Sequence, residues 1–338
     1  MEPHSSAWSK VVKLIVHHKT TYRYATKVSF GLHELMLRPR ENHALRLDRH
    51  SLVIRPTHRL RWIRDVYENN IALLDLLECA QELEIESECR LTVEEENPFD
   101  FIIEEGAREF PFAYHHRIQL ELAPFLPPIF HRDTPVIASW LAPLWHPGCR
   151  RSTLEFLQEL NLKIYRDIRY QRRERRGVQS PAETLESNSG TCRDFAALFM
   201  ETCRFLGLAA RFVSGYMYSP DITGSMSMHG WAEVYLPGAG WIGFDPSWGI
   251  LATSNFVPVT VTRHPEHAPP ISGTYFGYPR DFLRTEVALF VKKGAPQMTE
   301  APERTMSPAT TGSAVHQELR AKTVSHPPLP RAEVERGR

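Results

Sequence analysis

Between Lys10 and about residue 125 the chain alternates apolar and polar side chains with a period of two. Val12, Leu14, Val16, His18, Thr20, Tyr22 and Tyr24 share one parity, which predicts one face of a long strand. Leu83, Ile85, Ser87, Cys89, Leu91 and Val93 alternate with Glu82, Glu84, Glu86, Glu88, Arg90 and Thr92, which predicts a dry face and an acidic wet face. Half-buried strands of this kind belong to antiparallel sheets, and several in succession predict a β-sandwich. The acidic ladder reads first as a solvated face and second as a surface that recruits a partner. A Pro-rich joint from Pro124 to Pro135 then changes the pattern. Asp133-Thr-Pro is a helix start, and residues 152–170 carry helical spacing through Leu154, Leu157, Leu160 and Ile164. From about residue 190 a helix with an apolar stripe of Phe195, Leu198, Phe199, Thr202 and Leu206 gives way to three strand runs, ARFVSGYMYS, HGWAEVYLP and WIGFDPSW. Two shorter runs, VPVTVTR and TEVALFVKK, are expected to close this domain near Lys293. Residues 294–338, rich in Pro, Ala, Thr and Ser, lack the apolar material to fold and are expected to be disordered. The pattern therefore predicts an α+β protein: a β-rich domain over 10–125, a mixed domain over 133–293 and a disordered tail over 294–338.

Composition narrows the function classes. The 338 residues are 42% hydrophobic and 24% charged, as in soluble globular proteins, and too many for one ordinary core. Forty Lys+Arg balance forty Asp+Glu, which argues against nucleic-acid binding, because that affinity is built from excess positive charge. No apolar stretch reaches the roughly 20 residues of a membrane span, and the opening residues do not read as a secretory signal, so a cytoplasmic location is expected. The basic run Arg172–Arg176 could guide an acidic substrate, but reads better as a solvated helix end or loop. Five cysteines without a Cys-x-x-Cys are expected to be free thiols.

One of these thiols has a chemically distinctive setting. Cys192 follows a polar, Gly-containing turn and enters the first turn of an apolar helix. Unpaired N–H groups and the helix dipole there favour a thiolate. Cys203 lies 11 residues on, roughly 16 Å along the axis, too far for a disulfide and toward the end that disfavours an anion, so it reads as structural. A thiolate nucleophile needs a base and a group that orients the base. His229 opens one strand run and Asp245 closes the next. Antiparallel pairing of 229–236 with 241–246 across the turn at Pro237–Gly240 would bring them together. Competing readings are a buried inert cysteine, an incidental histidine among 16, and an aspartate that only starts a turn before Pro246. Gly238, Gly240 and Gly243 spell G-x-G-x-x-G, but they follow a strand without opening a helix, so no dinucleotide site is implied. No metal-ligand spacing occurs, and neither a metal nor another cofactor is expected.

GTCRDFAALFMETCRFLGLAARFVSGY followed by HGWAEVYLPGAGWIGFDPSWG resembles the core of the bacterial transglutaminase-like superfamily. HHKTTYRYATKVSFGLHELMLRPR, NPFDF and PFAYHHRIQLELAPFL resemble the β-rich N-terminal domain that precedes that core. The likeness covers about residues 11–293. It implies a papain-like core with Cys192 as nucleophile, His229 as base and Asp245 as orienter. Trp231, Trp241 and Trp248 are expected to help bind substrate. Thr191 stands where Val is usual, and Ser247-Trp248 where Thr-Asn is usual. The resemblance implies acyl transfer through a Cys192 thioester, from a protein or peptide carrying Gln or another amide to an amine co-substrate. Hydrolysis of the same thioester, as a cysteine peptidase or amidase, is the alternative. A non-catalytic binding module is a further one. The Cys192 N–H is the expected first oxyanion donor, with the second left open.

Overall fold

The alternation at the start of the chain becomes one strand of 21 residues, β1 (Lys10–Phe30). The computed structural model describes residues 10–95, 97–172, 177–220 and 225–294. The expected tail, from residue 295, and most of the basic run, residues 173–176, lie outside the described residues. After β1 come β2 (His33–Leu35), β3 (Leu45–Arg55), β4 (His58–Arg64), β5 (Asn70–Leu76) and β6 (Ala80–Glu95). The run of strands ends at Glu95, not near 125. Beyond it the chain folds as β7 (Glu109–Phe110), α1 (His116–Glu121), α2 (Thr134–Leu141), β8 (Arg151–Ser152), α3 (Thr153–Asp167), β9 (Arg169–Tyr170), α4 (Pro181–Ser187), β10 (Ser189–Gly190) and α5 (Cys192–Phe205). Then follow β11 (Ala210–Met217), β12 (His229–Leu236), β13 (Gly240–Asp245), β14 (Ile250–Leu251), β15 (Phe256–Thr262), β16 (Ile271–Ser272), β17 (Tyr275–Phe276) and β18 (Phe282–Lys293).

Two antiparallel sheets make the N-terminal sandwich. One runs β17-β1-β6-β3 with β18 also on β1, and the other runs β16-β2-β5-β4. Leu35, Leu37, Ala72 and Leu74 from the second sheet close on Ile54, Leu83 and Ile85 from the first. β18 corrects one expectation: the run TEVALFVKK pairs with β1 in this sandwich and does not extend the second domain's sheet. The pairing links residues more than 200 apart in sequence, so no local signal could indicate it. The acidic ladder of β6 is matched across the sheet. Lys19 meets Glu84 at 2.6 Å, Arg23 meets Glu82 at 2.5 Å, His17 meets Glu86 at 2.8 Å, and Arg55 on β3 meets Glu84 at 2.9 Å. Such pairs are individually weak, but they leave the face charge-balanced.

The third sheet, β14-β13-β12-β11-β15, carries α5 on one face. Ala232, Val234 and Leu236 of β12 pack there with Phe195, Phe199 and Leu208. An amphipathic stripe was the expectation for α5. Instead Cys192 and every residue from Asp194 to Arg204 are buried, because the helix lies between the sheet, α3 and the segment before α2. Two charges inside it are satisfied completely. Glu201 accepts from Arg204 at 2.9 Å and from the N–H groups of Ile129 and Phe130, while Arg204 also donates to the carbonyls of Phe125, Ala210 and Arg263. Residues 97–125, placed by the sequence pattern in the first domain, pack against this second core: Phe110 stacks on Phe156 at 4.7 Å, and the Tyr114 hydroxyl donates to the Tyr235 carbonyl.

The long strands serve both cores. Leu83 and Ile85 face the second sheet of the sandwich, whereas Leu14, Val16, Cys89, Leu91 and Val93 pack on Tyr216, Val257 and Val259 of the third sheet. Among the described residues no helix is long and apolar enough to cross a membrane.

Candidate active site

Cys192 is the first residue of α5, held by local chemistry on both sides. β10 pairs in parallel with β9, setting Gly190 opposite Tyr170. Asp194, fully buried in the first turn, accepts from the Thr191 N–H at 2.8 Å, the Thr191 hydroxyl at 2.9 Å and the Gln179 N–H at 2.7 Å. An acid in the first turn complements the exposed N–H groups of a helix start. The Thr191-x-x-Asp194 spacing therefore fixes where α5 begins, and so where the sulfur sits.

The β12–β13 hairpin has the expected antiparallel form, with Ala232 opposite Phe244 and Leu236 opposite Gly240. It places the His229 Nε2 2.6 Å from Asp245 Oδ2. Gly230 makes room for the Phe212 ring of β11 beneath the start of β12: a Cβ there would lie 2.8 Å from that ring. The same residue offers its backbone N–H to the Cys192 sulfur.

Burial alone would raise the Cys192 thiol. The neighbouring His229 charge, a hydrogen bond from its ring and the Gly230 N–H outweigh burial and hold Cys192 below the ordinary thiol value. Burial likewise opposes the imidazolium, yet the sulfur's charge and the Asp245 carboxylate raise His229 above its usual range. Both shifts favour the thiolate and imidazolium forms of the pair. Asp245 has no exposure, and both its oxygens are committed: Oδ2 to His229, Oδ1 to the Ser247 N–H at 2.9 Å and the Ser247 hydroxyl at 2.7 Å.

Cys192, His229 and Asp245 therefore meet although the chain separates them. The three tryptophans do not. Trp248, 43% exposed, borders the site. Trp231 is buried beneath the His229 ring and lies against Phe256. Trp241 points elsewhere, under the Arg211 guanidinium at 4.1 Å and against Phe125.

Two contributors were missed. In the sequence Ser247 stands out only as a departure from the family pattern, although Asp-Pro-Ser is the spacing at which a carboxylate captures a backbone N–H two residues on. Tyr170 was not singled out at all. Its hydroxyl reaches the Cys192 sulfur, and burial together with the nearby sulfur charge pushes its own pKa up to about 12, so it stays a donor. Only the parallel β9–β10 pairing brings it there.

The site opens into a cleft of about 1060 Å³. One wall is the second domain, including Tyr170, Arg172, Cys192, His229 and Trp248. The sandwich also lines the cleft, through His18, Thr20, Tyr22, Thr285 and Val287.

Comparison with known proteins follows the same division. Residues 14–92 match the bacterial transglutaminase-like N-terminal region and residues 148–246 match the transglutaminase-like superfamily core. Uncharacterized proteins of Mycobacterium tuberculosis and Mycobacterium bovis are 29% identical over 280 residues, covering 77% of this chain and 87% of theirs. A crystal structure from Cytophaga hutchinsonii, provisionally described as a cysteine protease, shares the fold with a TM-score of 0.66 at 17% identity, over 86% of this chain and 93% of its own. The fold, the order of the motifs and these matches agree: the chain belongs to the transglutaminase-like superfamily, in the bacterial form whose core follows an N-terminal β region.

Proposed function

We propose that the protein is a cysteine-dependent acyltransferase acting on carboxamides of peptides or proteins. The observation that carries this reading is the meeting of Cys192, at a helix start and biased toward thiolate, with a His229 imidazolium fixed by Asp245. The sulfur adds to the amide carbon, and the developing oxyanion is met by the Cys192 N–H, with the Tyr170 hydroxyl close by. His229 gives its proton to the departing nitrogen, which leaves as ammonia or an amine, and a thioester remains on Cys192. His229 then takes a proton from a primary amine as that amine attacks the thioester, forming the new amide and freeing the thiolate. Asp245 holds the imidazole in register and stabilises its charge without taking the proton.

A broad cleft also admits water to the thioester, which supports hydrolysis as a second reading; attack by water would then give a carboxylic acid and the same free thiolate. Incubation with a Gln peptide in the presence and absence of a primary amine separates the two by product mass. Transfer predicts addition of the amine with loss of ammonia; hydrolysis predicts glutamate or a cleaved chain regardless of amine. Absence of every such product, with Cys192 intact, would contradict both.

A further inference from the structure

The inward face of β1 is apolar at Leu14 and Val16 and then turns polar at His18, Thr20 and Tyr22. A sandwich gains nothing from that change, since burying polar groups on a core face costs stability unless they are satisfied. The change falls where the two cores meet and the cleft begins. His18 and Thr20, 2% and 3% exposed, satisfy each other: His18 lies 3.3 Å from the Tyr216 hydroxyl and 3.2 Å from the Thr20 hydroxyl. Beside them on the same sheet, Val287 pairs with Thr20 and Thr285 pairs with Tyr22. Tyr22, Thr285 and Val287, less buried than His18 and Thr20, line the same cleft as Cys192. This patch is also fastened to the catalytic side, because three residues before His229 the Met226 N–H donates to the Leu289 carbonyl of β18 at 2.8 Å.

We propose that this patch of the N-terminal sandwich is a substrate subsite, binding the extended polypeptide that flanks the reactive amide. The proposal rests on the acyltransfer reading for what happens at Cys192. A lone Gln side chain needs only a corner of a cleft of about 1060 Å³, a volume at the upper end for pockets that enclose whole ligands. The remaining space is lined by Met217, Met226, Met228 and Trp248, adaptable apolar groups that suit varied side chains. Among the described lining residues there is no carboxylate, and the positive groups are Arg172, Arg193 and the His229 imidazolium. The expected occupant is therefore a peptide with apolar and uncharged or acidic flanks. The sandwich is thereby one half of the specificity apparatus.

The test uses Val287→Arg, at an exposed position on β18, with Thr285→Arg as a second variant and Glu286→Gln, on the opposite face of the strand, as control. The readout is protection of Cys192 from iodoacetamide by two probes: a capped Gln–Gly dipeptide, and an apolar peptide of about eight residues with Gln at its centre, roughly 26 Å when extended. The long peptide is expected to protect the native protein and the control. Both Arg variants should need roughly tenfold more of it, while the dipeptide and the unprotected labelling rate stay unchanged. Equal protection of all four proteins, failure of the long peptide to protect the native protein, or an altered unprotected rate in both Arg variants would overturn the subsite. Ammonia release, followed in parallel, keeps the two ideas apart. Length-dependent protection without turnover refutes acyl transfer and retains the subsite, whereas turnover without length dependence does the reverse.

Discussion

α5 carries two buried cysteines, and its two ends treat them in opposite ways. Cys192, at the start, is held below the ordinary thiol value by His229 and the Gly230 N–H. Cys203, near the end, feels only the Arg204 charge, and burial outweighs it and drives its thiol far up. Two histidines repeat the contrast within one cleft. Burial and the neighbouring His17 lower His18 to about 4, and its hydrogen-bond partners are neutral hydroxyls; His229, also buried, is raised because sulfur and carboxylate flank it. Burial is thus not what makes a group reactive. It silences the group unless charges and hydrogen bonds aimed at it together outweigh the cost of burial.

The largest expected effect breaks the cysteine pair apart. Cys192→Ala should reduce turnover roughly ten-thousandfold or more, with the fold retained by circular dichroism. Cys203→Ala should keep turnover and lower unfolding stability by about 1–3 kcal/mol. Comparable turnover in the two variants would remove the distinction. Next in size, Glu201→Gln leaves Arg204 buried beside a neutral partner and should cost about 3–5 kcal/mol in denaturant unfolding. Its Cys192 alkylation rate under native conditions should match the native protein, because the ion pair fixes the helix without touching the sulfur; slowed alkylation would tie the network to the chemistry.

A smaller effect follows from the silent histidines. His18 and His50 both sit at about 4 against the ordinary histidine value of about 6.5, the latter through burial and Arg38. Between those values the unfolded chain binds more protons than the folded one. Stability is therefore intact above pH 6.5 and falls on acidification toward pH 4, by at most about 3 kcal/mol per group. Chemical denaturation at a series of pH values checks this, and a flat profile over that range would contradict the neutral, buried assignment. Replacing His18 by Gln should flatten part of the slope.

Much of this was legible in the chain. Strict alternation over 83–93 gave β6, because a long half-buried strand leaves an unbroken period of two. Cys192 and the hairpin that joins His229 to Asp245 were readable because a helix start and a short turn are local events. What escaped depends on distant pairing. Tyr170 reaches the sulfur only through β9 and β10, and the sandwich wall of the cleft needs β18 to return to β1 across the length of the protein. The polar turn at His18, Thr20 and Tyr22 was visible as parity, but its reason lies in a cleft that neither domain forms alone. Trp241 shows the converse: it is expected at the substrate, yet it lies under Arg211 and against Phe125.

The central claim is that His229 and the start of α5 together make Cys192 a thiolate. The most direct measurement is the alkylation rate of each cysteine as a function of pH, read by peptide mass spectrometry in the native protein and in His229→Ala. Cys192 should label with a midpoint clearly below the ordinary thiol value of about 8.5, that midpoint should move up in the variant, and Cys203 should stay unlabelled throughout. A midpoint at the ordinary value in both proteins, or similar labelling of Cys192 and Cys203, would contradict it.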